Sequence, residues 1–406
     1  MSKPPVHAAR LPPHHRHAYR RVVIGSLLLS ITLAGLVTWF AWRPAGNADA
    51  RDLAYVDGRI VNERIRSLPV NTWVEIARDK PGWTRQGHAG LAFDTRRGTL
   101  LIFGSDTHGE NWDNSVHEFN PLTLRWITHQ PASPPSSYRV DERGQPVSGD
   151  GGRFPWAMHS FDNIVYSAKL DALIVTSKID HTPAPTSAAS PVRSNPTWIY
   201  SLESRQWEIP RSTTPANPSF FAAGSTYDPL TGNVAAYQHG GLWWLDAATK
   251  DWRRAPGKHG TDLGIHFMML TDVQRRQLVL FGSRTGAVWV YSLPQLTDQE
   301  GRWEKRQPAG DSCLKDEHFP VAYDSHQGVF LLLPDESDKR SVTLVYLPQE
   351  NRCVRVVGAE MPAQKMNYML EYDPYHRVFL LVTGDWQTSV SVWAFRLDLS
   401  SAALKD

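Results

Sequence analysis

Two hydropathy patterns divide the chain. Residues 22–42, VVIGSLLLSITLAGLVTWFAW, run for 21 positions without a charge. As a helix at 1.5 Å per residue such a run is about 32 Å long, enough to cross a hydrocarbon core of roughly 30 Å. Trp39, Phe40 and Trp42 stand at its far end, where amphipathic rings favour the headgroup region. Beyond residue 70 the long apolar run gives way to short apolar strands separated by turn residues, a β pattern.

One hairpin recurs six times in that second region: HAGLAFD-TRRGTLLIFGS, FDNIVYS-AKLDALIVTS, AAGSTYD-PLTGNVAAYQ, HFMMLTD-VQRRQLVLFGS, HFPVAYD-SHQGVFLLLP and NYMLEYD-PYHRVFLLVTG. Its turn residues are Asp94, Ser167, Asp228, Asp272, Asp324 and Asp373, at intervals of 73, 61, 44, 52 and 49 residues. Asp and Ser start turns because their side chains accept hydrogen bonds from backbone N–H groups just ahead. Six positions after each lies a large apolar residue: Leu100, Leu173, Val234, Leu278, Phe330 and Phe379. A third strand follows each hairpin (SVHEF, TWIYS, LWWLD, AVWVYS, TLVYL, VSVWAF), β-branched and aromatic as half-buried strands are. A fourth strand is marked by Trp126, Trp207, Trp252 and Trp303, with Cys353 at the fifth place.

The sixth copy has no fourth strand of its own, and an orphan, NTWVEIA at residues 71–77, precedes the first copy. Pairing the orphan with the last unit closes a ring and protects the sheet edges. The expected architecture is all-β, a six-bladed β-propeller preceded by one transmembrane α-helix. Its segments are a tail at 1–21, a helix at 22–42, a linker at 43–70, the propeller at 71–398 and a tail at 399–406. The motifs Thr84-Arg85-Gln86-Gly87-His88-Ala89, LLIFGS and SVHEFNPLTLRW resemble the kelch repeat of galactose-oxidase-like propellers. The resemblance covers about residues 71–398, and its double glycine survives only as Gly240-Gly241.

Composition and charge refine the picture. Two cysteines in 406 residues exclude a disulfide scaffold and a Cys-rich zinc module. Lys+Arg 43 against Asp+Glu 41 is mildly basic, but Lys3, Arg10, Arg16, Arg20 and Arg21 all precede the apolar run, in a tail without an acid. The rest of the chain holds 38 basic and 41 acidic side chains, so nucleic acid is not an expected partner. The positive-inside rule places the tail in the cytoplasm and everything beyond about residue 43 outside it, in the periplasm of a Gram-negative cell. A cleaved signal peptide ending near Ala48-Asp49-Ala50 is the rival reading, against which the apolar run is too long. Ser26, Ser30, Ala34 and Thr38 form a small-residue stripe that could pair two such helices into a homodimer.

Candidate chemistry follows from propeller geometry, in which the loops entering each first strand and those between the second and third strands share one face. His88, His159, His266, His318 and Asn367 stand at the heads of first strands. The four imidazoles could hold a divalent metal or an anionic ligand; the other reading is that His here belongs to the repeat and only caps the strand. The loops of the same face add Asp106, His108, Trp112, His181, His239, Arg284 and Trp386. Two long insertions, 128–157 and 178–196, fall there too, and repeat proteins carry insertions on the binding face. The galactose-oxidase resemblance implies copper ligands that include a Tyr–Cys pair, which neither Cys313 nor Cys353 matches by motif. No cofactor is assigned. The expected role is binding or scaffolding of a glycan or an envelope protein, with exposed Trp stacking on sugar rings. The alternative is a sugar-directed enzyme, oxidoreductase or mutarotase-like, with a His-lined site at the channel mouth.

Overall fold

The computed structural model describes residues 61–405 except 80–86, 110, 184–190, 211–220, 222, 239, 258, 295–298, 311–318 and 385–388. The chain divides into two compact units, Met1–Asp49 and Ala50–Asp406, and every described residue belongs to the second. The apolar run at 22–42 lies outside the described residues; among these, no helix is long and apolar enough to cross a membrane.

The described chain is all-β. Its one α-helical stretch is the turn Glu63–Arg66, joined by three short 3-10 turns. Six sheets have four or more strands. We number them in chain order by their first strands: Gly90–Asp94, Ile164–Ser167, Gly224–Asp228, Leu263–Asp272, Val321–Asp324 and Leu370–Asp373. In the first four, successive strands pair antiparallel in sequence order; the fifth adds Ala309–Gly310, parallel to Arg352–Val356.

The hairpin turn explains why these sequences fold alike. Each of the six turn residues ends a first strand, and Asp94 shows the chemistry: its Oδ1 accepts from the N–H groups of Arg96 (2.8 Å) and Arg97 (3.0 Å). Asp324 and Asp373 accept from the same two positions ahead of them. Four residues after each turn residue the backbone turns left-handed, at Gly98, Asp171, Gly232, Arg276, Gly328 and Arg377. Glycine fills three of these places because it alone carries no Cβ penalty there. The apolar residue six positions on is never more than 1% exposed.

The sixth sheet is completed from the other end of the chain. Trp73–Asp79 pairs antiparallel with Val390–Phe395, and Trp73 stands opposite Phe395. Cys353 stands opposite Tyr346, as Trp126 does opposite Phe119 and Trp252 opposite Leu245, and it is fully buried. The Trp residues also join sheets. Trp252 donates to Thr197 Oγ1 (2.8 Å) in the second sheet's entry, and Trp73 to Thr343 Oγ1 (2.9 Å) in the fifth. Separate cores fill the gaps between neighbours: Leu100 and Ile102 of the first sheet pack with Leu380 and Val392 of the sixth, and Leu101 and Phe103 pack with Leu173 and Tyr200 of the second.

Two segments expected outside the folded region belong to it. Within the expected linker, Ile65 is wholly buried and the Asn62 N–H donates to His376 Nε2 (2.9 Å). Within the expected C-terminal tail, Leu404–Lys405 pairs with the edge strand Arg352–Val356. Neither segment carries the repeat pattern, so nothing local marks it as ordered.

The first strands of the six sheets touch in a closed cycle, each meeting the next and the sixth meeting the first. All six line one cavity of about 370 Å³.

Candidate functional site

Phe161 lies between this cavity and a cluster of imidazoles. It lines the cavity, and its ring lies 5.5 Å from His88, 5.2 Å from His159 and 4.5 Å from His266, centroid to centroid. The chain reaches these positions in a constrained path. His88, Phe161 and His266 all have left-handed backbones, at φ of 61°, 42° and 67°, a conformation that costs energy in non-glycine residues and concentrates at functional places. Ser160 pins the path: its Oγ accepts from the Gly90 N–H (2.7 Å) and donates to Phe103 O (2.6 Å). A Cβ on Gly104 would lie 2.1 Å from that oxygen, so glycine at this position is what lets the second sheet's entry close against the first.

Beyond Phe161 the loops of the first two sheets bring together His88, Asp106, His108, His159, Asp180 and His181. His88 Nδ1 lies 3.2 Å from Asp106 Oδ1, and His159 Nε2 lies 3.6 Å from the same oxygen. On its other side, His159 Nδ1 is 2.7 Å from Asp180 Oδ2, and His181 Nδ1 is 2.9 Å from it. The rings pack closely: His88 stacks on His159 at 4.3 Å, His108 is tilted against His159 at 4.5 Å and stands edge-on to His181 at 4.3 Å. Thr107 braces the group from the middle. Its N–H donates to His159 Nε2 (3.2 Å), and its hydroxyl lies 3.1 Å from His181 Nδ1.

This environment disfavours the charged forms of His88 and His108. Burial, and then the charge His159 would carry, lower His88 to about 4, against the opposing pull of Asp106. His108 is lowered by burial and by His159 and His181. Burial disfavours ionised Asp180, but contact with His159 and the charges of His159 and His181 outweigh it and hold the carboxyl below its usual range. Neutral imidazole and ionised carboxylate are the forms that bind metal cations.

The two long insertions stand beside the cluster. Residues 139–155 fold into a small sheet of Arg139–Val140, Pro146–Ser148 and Phe154–Pro155. Buried Asn114 ties it down, donating to Ser148 Oγ and Pro155 O (both 2.8 Å) and accepting from the Ser133 N–H (2.7 Å). The second insertion docks on the first through Arg193 N–H to Gly144 O (2.9 Å). Trp112 lies half-buried at this junction, edge-on to Tyr138. A second cavity of about 370 Å³, lined by Asp180, Thr182, Val192 and Asn195 among others, opens beside the cluster.

Of the residues singled out from sequence, His88, Asp106, His108, His159 and His181 therefore meet in one cluster. His266 does not join it; its ring packs against Phe161 and Phe221. Of the four strand-head imidazoles His88, His159, His266 and His318, the first two meet, His266 stands apart, and His318 lies outside the described residues. Arg284 stands on an exposed turn. Asn367 is buried, donating to Gln364 Oε1 and Val382 O (both 2.9 Å), a strand-capping role. His239, His318 and Trp386 lie outside the described residues. Asp180, which the sequence places beside His181 on a loop of the same face, joins the cluster; Thr107 was not among the expected site residues, and the signal available was the Asp-Thr-His order in the loop that follows the second strand of the first unit.

The cavity holds a second chemistry. Asp162 and Glu371 both line it. Burial pushes Glu371 up to about 8. Burial also raises Asp162 well above the usual range, reinforced by Glu371, although Asp162 Oδ2 accepts from the Met269 N–H (2.7 Å).

No protein-family model and no curated protein matches the chain. Among solved structures it is similar to an auxiliary nutrient binding protein from Bacteroides ovatus, at 10% identity over 80% of this chain and 76% of that one, TM-score 0.49. It is also similar to one from Bacteroides thetaiotaomicron, at 11% identity over 77% and 69%, TM-score 0.47. A protein of unknown function from Bacteroides thetaiotaomicron matches at 11% identity over 81% and 73%, TM-score 0.43.

Proposed function

We propose that the chain is a single-pass membrane protein carrying a six-bladed, kelch-like β-propeller outside the cytoplasm, and that its loop face binds a glycan or an envelope protein. The observation that carries this reading is the closed cycle of six first strands around one cavity, with both long insertions and the polar cluster gathered at the loops of the first two sheets. The strand pairing of Trp73–Asp79 with the last sheet supports the ring. Membrane attachment and orientation rest on the apolar run 22–42 and the basic residues before it.

Orientation is tested by reporter fusion. Alkaline phosphatase fused after residue 406 should be active in a Gram-negative host, and fused after residue 21 inactive; the reverse pattern refutes an extracytoplasmic propeller. Binding is tested by applying the detergent-solubilised full chain to a glycan array. Discrete glycans should bind, and Trp112→Ala or Trp386→Ala should each weaken them by about tenfold or more, since buried aromatic contacts dominate such interfaces. A sugar-directed enzyme is the second reading, favoured by Asp162 and Glu371 in the cavity: a carboxyl held protonated near neutral pH can serve as a general acid. Turnover of a sugar that is lost in Glu371→Gln, without array binding, would select that reading instead.

A further inference from the structure

We infer that His108, His159, Asp180 and His181 form a binding site for one first-row divalent metal ion, zinc being the ion their chemistry suits best. One ligand atom from each lies within 4.8 Å of the others. Three imidazoles and a carboxylate are the ligand types of zinc and its neighbours, and the site differs from the ring of strand-head imidazoles expected from the repeat.

His159 Nδ1 and Asp180 Oδ2 are both buried and lie 2.7 Å apart as an ion pair. His159 is completely buried. With His181 Nδ1 2.9 Å from the same oxygen, three potential ligand atoms converge on one place, and a cation entering there would take over from these direct contacts. Ligand atoms of a tetrahedral ion bound at about 2.0–2.2 Å lie roughly 3.3–3.6 Å apart. His108 is exposed and His181 is 37% exposed, so both have room to close on an ion between them.

The surroundings also orient the ligands. When His159 Nδ1 binds an ion, its proton resides on Nε2, which faces Asp106 Oδ1 at 3.6 Å. The Thr107 N–H then gives up Nε2 as acceptor but keeps Ser105 O at 3.1 Å. Asp106 also accepts from the His108 N–H (3.1 Å) and so holds that loop residue beside the others. A carboxylate behind a ligating histidine is the usual means of fixing its tautomer and ring. The inference stands on these side chains and holds whatever the loop face binds.

The test uses the full chain in detergent with His7, His14, His15 and His17 replaced by alanine, so that the tail imidazoles cannot compete. Titration with Co²⁺ should saturate at one equivalent, with visible absorption that Zn²⁺ abolishes by displacement. His108→Ala and His181→Ala, at positions open enough to spare the fold, should each weaken Co²⁺ binding by roughly a hundredfold, and Asp106→Asn by about tenfold. His266→Gln should leave it unchanged. Absence of saturable binding, or binding unaltered in both His108→Ala and His181→Ala, overturns the site.

Discussion

Trp73→Ala should lower the stability of the folded region by about 3–5 kcal/mol, the usual cost of truncating a buried large aromatic residue. Trp73 is 8% exposed and its ring lies 4.9 Å from that of Phe395. Its indole N–H also donates to buried Thr343 Oγ1, so truncation leaves a polar group in the fifth sheet without its donor, a further penalty. The position matters beyond its contacts. The strand it begins comes from the N-terminal side of the repeats, whereas its partner Val390–Phe395 comes from the end, so weakening it loosens the one seam where the cycle is closed by pairing of distant segments. A urea titration followed by circular dichroism reads the effect as a lower midpoint. Trp303→Ala serves as the comparison, because Trp303 pairs with Tyr291 inside one continuous stretch of chain. An unfolding free energy for Trp73→Ala within about 0.5 kcal/mol of the unmodified protein's, the range of surface substitutions, would show that this strand does not close the fold.

The second large effect concerns pH. Stability should fall as pH rises from about 5 to 8, and Glu371→Gln should flatten that profile. Glu371 titrates near 4.5 in an unfolded chain and is pushed up to about 8 by burial in the folded one. The folded state therefore binds its proton more tightly. The contribution is fully present below the unfolded value and is lost as pH climbs through the folded one. Asp162 acts in the same direction, since burial and the neighbouring Glu371 both raise it. At pH 8 the substitution should gain about 2 kcal/mol, less than the whole shift would give because water entering the cavity solvates part of the charge. Below pH 4.5 it should change little. Melting temperatures measured across this range for both proteins decide the matter: parallel profiles would mean that Glu371 is already ionised at neutral pH in the folded protein.

Strands and site differ in how much of each is local to the sequence. The six turn residues were legible because their chemistry is local. Asp94 or Asp324 bonds to N–H groups two and three residues ahead, and the alternation on either side needs no distant partner. The orphan strand was legible by subtraction, one fourth strand too few at one end and one too many at the other. Its observed bounds, Trp73–Asp79, differ from the expected 71–77 only at the ends. The partners of the Trp residues were not legible. Thr197 and Thr343 are ordinary threonines until two sheets are set side by side.

The cluster shows the same division. Repeat logic places equivalent residues at equivalent heights and so suggests His88, His159, His266 and His318 as one set. Among the described residues the structure concentrates chemistry over two neighbouring sheets, because the loop residues around Asp106 and Asp180 bring His108, Asp180 and His181 against His159. Their course depends on contacts far apart in sequence: Asn114 on Ser148 and Pro155, and Arg193 on Gly144. The alternation of apolar and polar residues and the chemistry of the turns, both short-range, thus determined the strands, their order within each hairpin and the all-β class. Which histidines meet, which carboxylates lose their water and which threonines receive an indole proton were decided by packing between sheets, where the partners lie tens to hundreds of residues apart.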